Sequence, residues 1–337
     1  MYAPNSRRTI GASGVEVSVL GFGAAALGNL YSAVDDDVSH AAVAAALQEG
    51  VRYFDTAPFY GYGLSEQRLG RALGLGSQDG VVISTKVGRL IISDETGAQG
   101  TDGFVVSGHR AVFDYSRDGI MRSFESSLQR LGRDQVDILL LHDVGRVTHG
   151  PLHEIRLREA LEEALPTMAH LKSSGACRAI GIGVNEEAVC LEIMAHFDLD
   201  CILLAGRYTL LEQHSVHGVM SEARRRGVGI VIGGPYNSGL LADARGPGST
   251  YDYRPVEAGM LERARRIYSI CASQNVDVGA AALQFVLAHP AVVAVVAGLR
   301  SKDEVLSAVT RLQARLPDTL WDALREDGLL LPEVPTP

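Results

Sequence analysis

The sequence predicts an α/β fold: a (β/α)8 TIM barrel in one domain spanning residues 1–337. Three observations predict it. Eight short apolar runs alternate with helical patterns along the chain. Runs such as Ile138–Leu141 and Val292–Val296 are apolar at consecutive positions, as strands buried on both faces of a parallel sheet must be. The open doubly wound sheet lacks its mark, a Gly-rich turn after the first strand with an acid about 20 residues on. Gly21-Phe22-Gly23 is a lone GxG. Eight βα units that close on themselves satisfy every sheet edge within one domain.

The elements follow in order. Arg8–Ile10 and Val15–Val19 flank a Gly-rich turn and read as an N-terminal hairpin. The first barrel strand lies near Val19–Gly23, and helix Val38–Glu49 stops at Gly50. Strand Tyr53–Ala57 leads to helix Ser65–Leu73. Strand Val81–Thr85 ends in Lys86, and helix Arg117–Leu131 stops at Gly132. Strand Val136–Leu141 ends in His142, followed by helix Arg158–Ser173. Strand Ala179–Val184 ends in Asn185, followed by helix Glu186–His196. Strand Cys201–Ala205 precedes helix Ser215–Arg226. Strand Gly229–Ile232 opens into a Gly-Gly-Pro turn, and helices Pro255–Gln274 and Ala280–Leu287 come next. Strand Val292–Ala297, helix Lys302–Leu312 and an amphipathic segment Asp318–Leu324 with the only Trp complete the chain. Two connections break the rhythm, Gly88–Ser116 and Tyr236–Arg254. Both leave C-terminal strand ends, so they are expected as extended loops walling a substrate pocket.

The 337 residues are 46% hydrophobic and 21% charged, an ordinary globular composition with a sizeable core. The formal charge of −9 is spread along the chain, with no Lys/Arg block to suit nucleic acid or an anionic membrane. The start has no signal-peptide-like apolar run, and no stretch approaches ~18 uncharged apolar residues. A cytoplasmic protein, monomer or weak homo-oligomer, is expected. Cys177, Cys190, Cys201 and Cys271 have neither CxxC spacing nor a His cluster, so they read as buried reduced thiols and no metal is expected.

The chemistry converges on three neighbouring strand ends, at Asp55, Lys86 and His142, with Tyr60 on the loop after Asp55. Singly, each has a plain reading: a turn cap, a solvated lysine, a core histidine, a rim tyrosine. Adjacent strands lie about 4.8 Å apart, so together they can meet. Lys86 is expected to favour the phenolate of Tyr60 and lower its pKa, with Asp55 holding Lys86 charged and His142 bonding a substrate oxygen. That set suits hydride transfer at a carbonyl or carbinol.

Val51–Gly70, VRYFDTAPFYGYGLSEQRLG, resembles the signature of the aldo-keto reductase superfamily. STKVG at Ser84–Gly88 and DILLLHD at Asp137–Asp143 resemble its lysine and histidine strands. The resemblance implies a TIM barrel, a diffusible NAD or NADP, and a catalytic tetrad of Asp55, Tyr60, Lys86 and His142, with Tyr60 as the proton donor or acceptor. Phe113–Ile120, Leu203–Leu211 and Gly233–Ala242 resemble the D-threo-aldose 1-dehydrogenase branch, which includes L-fucose and L-galactose dehydrogenases and oxidises the anomeric carbon of an aldose to its lactone. Pyridoxal 4-dehydrogenases and general aldehyde reductases are alternatives, and potassium-channel β subunits, also similar to the family, supply a non-catalytic one. By position, the resemblance places the cofactor against Gly23, Asn185, Gly233, Pro235, Ser238, Gly239, Leu240, Gly298, Arg300, Ser301 and Glu304. Gly233 stands where many members carry a ring that stacks on the nicotinamide, and Ala205 where they carry a Gln. Glu304 stands where NADP-preferring members often carry Arg, so NAD is favoured over NADP. The substrate, a sugar or other small aldehyde, is expected between Phe59, Tyr62, Phe113, Asp114 and Asn237. His109, Asp114, Arg117 and Asn237 tilt the expectation toward a sugar.

Overall fold

The structure is a computed structural model that describes residues 2–74, 80–94, 96, 102–243, 246–248, 250–251 and 254–337. Eight parallel strands close into a barrel, running in space as in sequence. They are Leu20–Gly23, Tyr53–Asp55, Val82–Val87, Ile138–His142, Ala179–Val184, Cys201–Ala205, Gly229–Gly233 and Val292–Gly298. The eighth pairs with the first, Gly298 opposite Gly23. Arg7–Ile10 and Val15–Ser18 form an antiparallel hairpin. Its Ile10, Val15 and Val17 join Tyr53, Leu140, Leu203, Val231 and Val296 in the inner core, so the hairpin plugs one end of the barrel. A larger shell fills the space between strands and helices, including Phe54, Ile182, Phe285 and Trp321. Among the described residues, no single helix is long and apolar enough to cross a membrane. None of their His, Cys, Asp and Glu side chains group as a metal site would.

Two helix ends follow directly from sequence chemistry. Ser116 caps helix Arg117–Leu131 by accepting from the Gly119 N–H, and Gly132 ends it in the left-handed region at φ 62°. The register then sets the site. Asp55 pairs with Ser84, and Lys86 lies two residues beyond Ser84 on the same face. Lys86 pairs with Leu140, and His142 lies two beyond that. Each strand in turn contributes its residue one pleat nearer the mouth, as the stagger of a closed barrel requires.

The structure adds local detail to three of the connections. Gly88–Ser116 is not an open loop, because Arg89–Ser93 and His109–Phe113 pair as an antiparallel hairpin. Leu90, Ile91 and Ile92 form only a three-residue apolar run, too short to mark the strand in the sequence. The helix expected from Arg158 is preceded by helical turns from Arg146 and itself contains a π-helical segment, Ala160–Ala164. Gly145 and Gly150 obscured that start. Tyr236–Arg254 is largely a tight coil of turns closed by the short pairing of Thr250–Tyr251 with Arg254–Pro255, and residues 244–245, 249 and 252–253 lie outside the described set.

Candidate active site

Asp55 ends the second strand and receives the Lys86 ammonium at 3.0 and 2.8 Å from its two oxygens. The Lys86 Nζ also donates to the Thr56 carbonyl at 2.9 Å, and the Ser84 hydroxyl to Asp55 Oδ1 at 2.7 Å. The lysine is 1% exposed, so this is a desolvated ion pair that neither partner can leave without stranding a charge. Burial alone would lower the Lys86 pKa. Attraction to Asp55 and then to Tyr60 outweighs it and pushes the group up to about 12.

Tyr60 lies over this pair, with the Lys86 nitrogen 4.6 Å from its ring centroid. Its loop is fixed by bare backbone: a Cβ on Gly28 would meet the Tyr60 carbonyl carbon at 2.6 Å and the Gly61 nitrogen at 2.7 Å. The expectation that Lys86 lowers the phenol's pKa is corrected in its net direction. Lys86 does pull it down through charge and a side-chain hydrogen bond. Desolvation is larger, Asp55 adds to it, and the net shift is upward.

The His142 ring meets the Tyr60 ring edge-on at 5.9 Å and the Phe59 ring at 6.2 Å. Burial, reinforced by Arg89 and Lys86, holds its pKa well below the usual histidine value, so the imidazole is neutral. Tyr115 fixes its backbone, donating to the His142 carbonyl at 2.8 Å.

The pocket side is strongly aromatic. Phe59 contacts Phe104 at 5.4 Å and Tyr62 at 6.2 Å between centroids. Tyr62 donates to Asp102 at 2.5 Å. The Arg89 guanidinium is sandwiched between Phe59, at 3.9 Å, and Phe113, at 4.4 Å, and its Nη2 is ion-paired with Asp143. Sequence reasoning missed Arg89, Asp143 and Phe104. Asp143 stood inside the quoted histidine motif, and a charged residue opening the apolar run Arg89–Ile92 was the available signal.

Several polar residues expected on the pocket wall are spoken for elsewhere. Asp114 accepts from the Ser116 N–H at 3.1 Å and hydroxyl at 2.6 Å, within the turn before its helix. Asn237 is buried and donates to the Gly206 carbonyl at 3.3 Å, while its Oδ1 has no partner. His109 is exposed.

The expected cofactor residues sit along the rim at the fifth, seventh and eighth strand ends. Asn185 follows the fifth strand and is half-buried. Gly233 ends the seventh, and Pro235 follows, buried. Asn237, Ser238 and Gly239 all have positive φ, a sharply coiled turn. Leu240 is 0% exposed and belongs to the core, so its side chain packs rather than binds. Gly298 is exposed beside buried Gly23. Ser301 caps helix Lys302–Gln313, accepting from the Glu304 N–H. Glu304 accepts from the Arg300 N–H at 2.8 Å and lies 3.2 Å from the Arg300 guanidinium.

This geometry meets its match in known proteins. The Aldo/keto reductase family pattern covers residues 19–326. The chain belongs to the aldo/keto reductase family. Among its relatives, a pyridoxal 4-dehydrogenase of Microbacterium luteolum is 39% identical over 97% of this chain and 98% of its own. A D-threo-aldose 1-dehydrogenase of Pseudomonas sp is 37% identical over 97% of each. The holo form of an aldo-keto reductase from Bacillus halodurans superposes with a TM-score of 0.75 at 27% identity, covering 98% of this chain and 97% of that one. Membership makes the protein an NAD(P)-dependent oxidoreductase of small carbonyl or aldose substrates. The rim fits such a dinucleotide. Arg300 and Lys302 stand at a helix N-terminus, where anions are favoured, and Asn237 keeps a buried oxygen without a donor.

Proposed function

We propose that this aldo/keto reductase oxidises the carbinol of a cyclic hemiacetal to a lactone, with an aromatic substrate of the pyridoxal kind ahead of an aldose. The observation that carries the choice is the wall beside His142, built from Phe59, Tyr62, Phe104 and Phe113 around Arg89. A flat ring gains from stacked and edge-on contacts there. A sugar needs several paired polar groups, since an unpaired buried donor costs about 1–3 kcal/mol. Asp114 is already engaged, and the Asn237 amide nitrogen donates to the Gly206 carbonyl. The two relatives differ too little in identity to decide between substrates.

A bound nicotinamide supplies the hydride acceptor. Tyr60 takes the hydroxyl proton at its phenolic oxygen and returns it in the reverse direction. Lys86 stabilises the phenolate, Asp55 keeps Lys86 charged and in place, and neutral His142 donates a hydrogen bond to the substrate oxygen. Asn185, Gly233, Ser238, Gly239, Gly298, Arg300 and Ser301 line the cofactor's side. NAD is the preferred form, because Glu304 sits against Arg300 and sets a carboxylate where a 2′-phosphate would bring more negative charge.

The test is a substrate panel followed by absorbance of the reduced nicotinamide. Pyridoxal is expected to give a kcat/KM above those of L-fucose, L-galactose and D-arabinose. A sugar giving the highest value would reverse the order of the two readings, and no turnover on any, with intact cofactor binding, would favour a regulatory subunit.

A further inference from the structure

We propose that Arg89 is a positioning residue: it holds the Asp143 carboxylate so that His142 remains a neutral donor facing the substrate oxygen. The inference rests on His142 having that role. The geometry is a three-residue chain. Asp143 follows His142 directly, and its Oδ2 lies 3.5 Å from His142 Nε2, too far for a good hydrogen bond. The same Oδ2 is bound to Arg89 Nη2. Asp143 adopts φ 51°, a left-handed conformation that a non-glycine residue holds only when its surroundings impose it. That turn brings its carboxylate to Arg89, whose side chain is 10% exposed and whose Nε is buried without a partner. The sandwich between Phe59 and Phe113 leaves the guanidinium little room to leave.

A bare carboxylate at 3.5 Å would draw a proton onto His142 and capture its Nε2–H. An opposite charge within about 4–6 Å favours the charged form by roughly 1–3 pKa units. With Arg89 attached, the pair carries no net charge, and its positive end also disfavours the imidazolium. The other groups facing His142 are Lys86 and Tyr60 from the barrel mouth, with Asp55 behind Lys86. Tyr115 sits on its carbonyl, and His149 beyond bonds the Tyr115 hydroxyl. Among these, Asp55 is committed to Lys86, which leaves Asp143 as the carboxylate able to stabilise a proton on His142.

Arg89→Met keeps the apolar stem in the aromatic sandwich and frees Asp143. The His142 ring signal, followed by NMR against pH in 13C-histidine-labelled protein, is expected to titrate about one unit or more higher than in the unsubstituted protein. The acid limb of kcat/KM should rise with it. Arg89→Gln, which keeps a donor for Asp143 without charge, should move the midpoint the same way if the Met variant does not fold. Adding Asp143→Asn to either variant should bring both midpoint and limb back. An unchanged His142 titration, or a shift that Asp143→Asn fails to reverse, overturns the proposal. The titration does not need turnover, so a moved midpoint in a protein inactive on every carbinol would uphold the positioning role while removing the dehydrogenase reading.

Discussion

At the scale of residues, the site turns on a contest between burial and charge at Tyr60. Desolvation favours the neutral phenol, Lys86 opposes it, and the balance lies with burial. A group whose pKa is raised above its ordinary ~10 is protonated across neutral pH. The oxidising direction needs the phenolate, so its kcat/KM should climb with pH up to about 10 without a plateau, while the reducing direction, which uses the protonated phenol, stays level over the same range. A flat profile in the oxidising direction would remove Tyr60 from the proton transfer. Tyr60→Phe should lower kcat by about 10²–10⁴-fold while fluorescence titration gives an unchanged Kd for NAD. Lys86→Met has two consequences that must be separated. It removes the cation that pulls the phenol's pKa down, and it strands Asp55 in a dry site at a cost of about 3–5 kcal/mol. Adding Asp55→Asn should recover stability in a thermal melt but not the activity.

At the scale of elements, what could be read in advance depended on how local the determining physics was. Helix Arg117–Leu131 carries its own cap and stop, and strands Ala179–Val184 and Cys201–Ala205 are unbroken apolar runs, so all three appear with the expected bounds. The hairpin of Arg89–Ser93 and His109–Phe113 was not legible, because its strands pair across intervening residues with no short turn signal. Ser65, Glu66 and Arg68 stood in the recognised motif, yet their work is structural. Ser65 donates to the Ala24 carbonyl at 2.7 Å, and Glu66 joins Thr85 and Arg130, both at 2.6 Å. Arg68 gathers Asp36, Leu27, Asn29 and Val34. The start of helix Lys302–Gln313 gives a prediction at this scale. Glu304 engages both the Arg300 N–H and its guanidinium. Glu304→Gln releases the cation and removes the repelling charge, so the ratio of kcat/KM for NADP to that for NAD should rise about tenfold or more, as about 1.4 kcal/mol of recovered attraction would give. An unmoved ratio in steady-state kinetics would place coenzyme choice elsewhere.

At the scale of the molecule, closure converts sequence-distant strand ends into neighbours. Asp55, Lys86 and His142 were legible because each follows an apolar run of known period, and the barrel's stagger brings those ends together. The Arg89–Asp143 pair was not, because it spans 54 residues and depends on a left-handed backbone at Asp143 that no periodicity records. The same closed core traps the thiols in their neutral forms, and this sets an alkaline limit on stability. All four cysteines are free and buried. Burial pushes the Cys177 and Cys271 thiols up to about 12 and raises Cys190 and Cys201 strongly as well. In the unfolded chain each thiol releases its proton near pH ~8.5. Below that pH both states hold the proton and the contribution is complete. Above it the unfolded state binds fewer protons than the folded one, so stability falls as pH rises toward the folded values. Each thiol then adds a slope of about 1.4 kcal/mol per pH unit. The Tm should therefore be steady from pH 7 to 8 and drop steeply between pH 9 and 10. Cys190→Ala should lower Tm at pH 7 through the space it leaves and yet flatten the alkaline fall, since one of the four trapped protons is gone. A variant whose alkaline slope matches the unsubstituted protein would mean that some other buried group, Tyr53 foremost with its raised pKa, governs the limit.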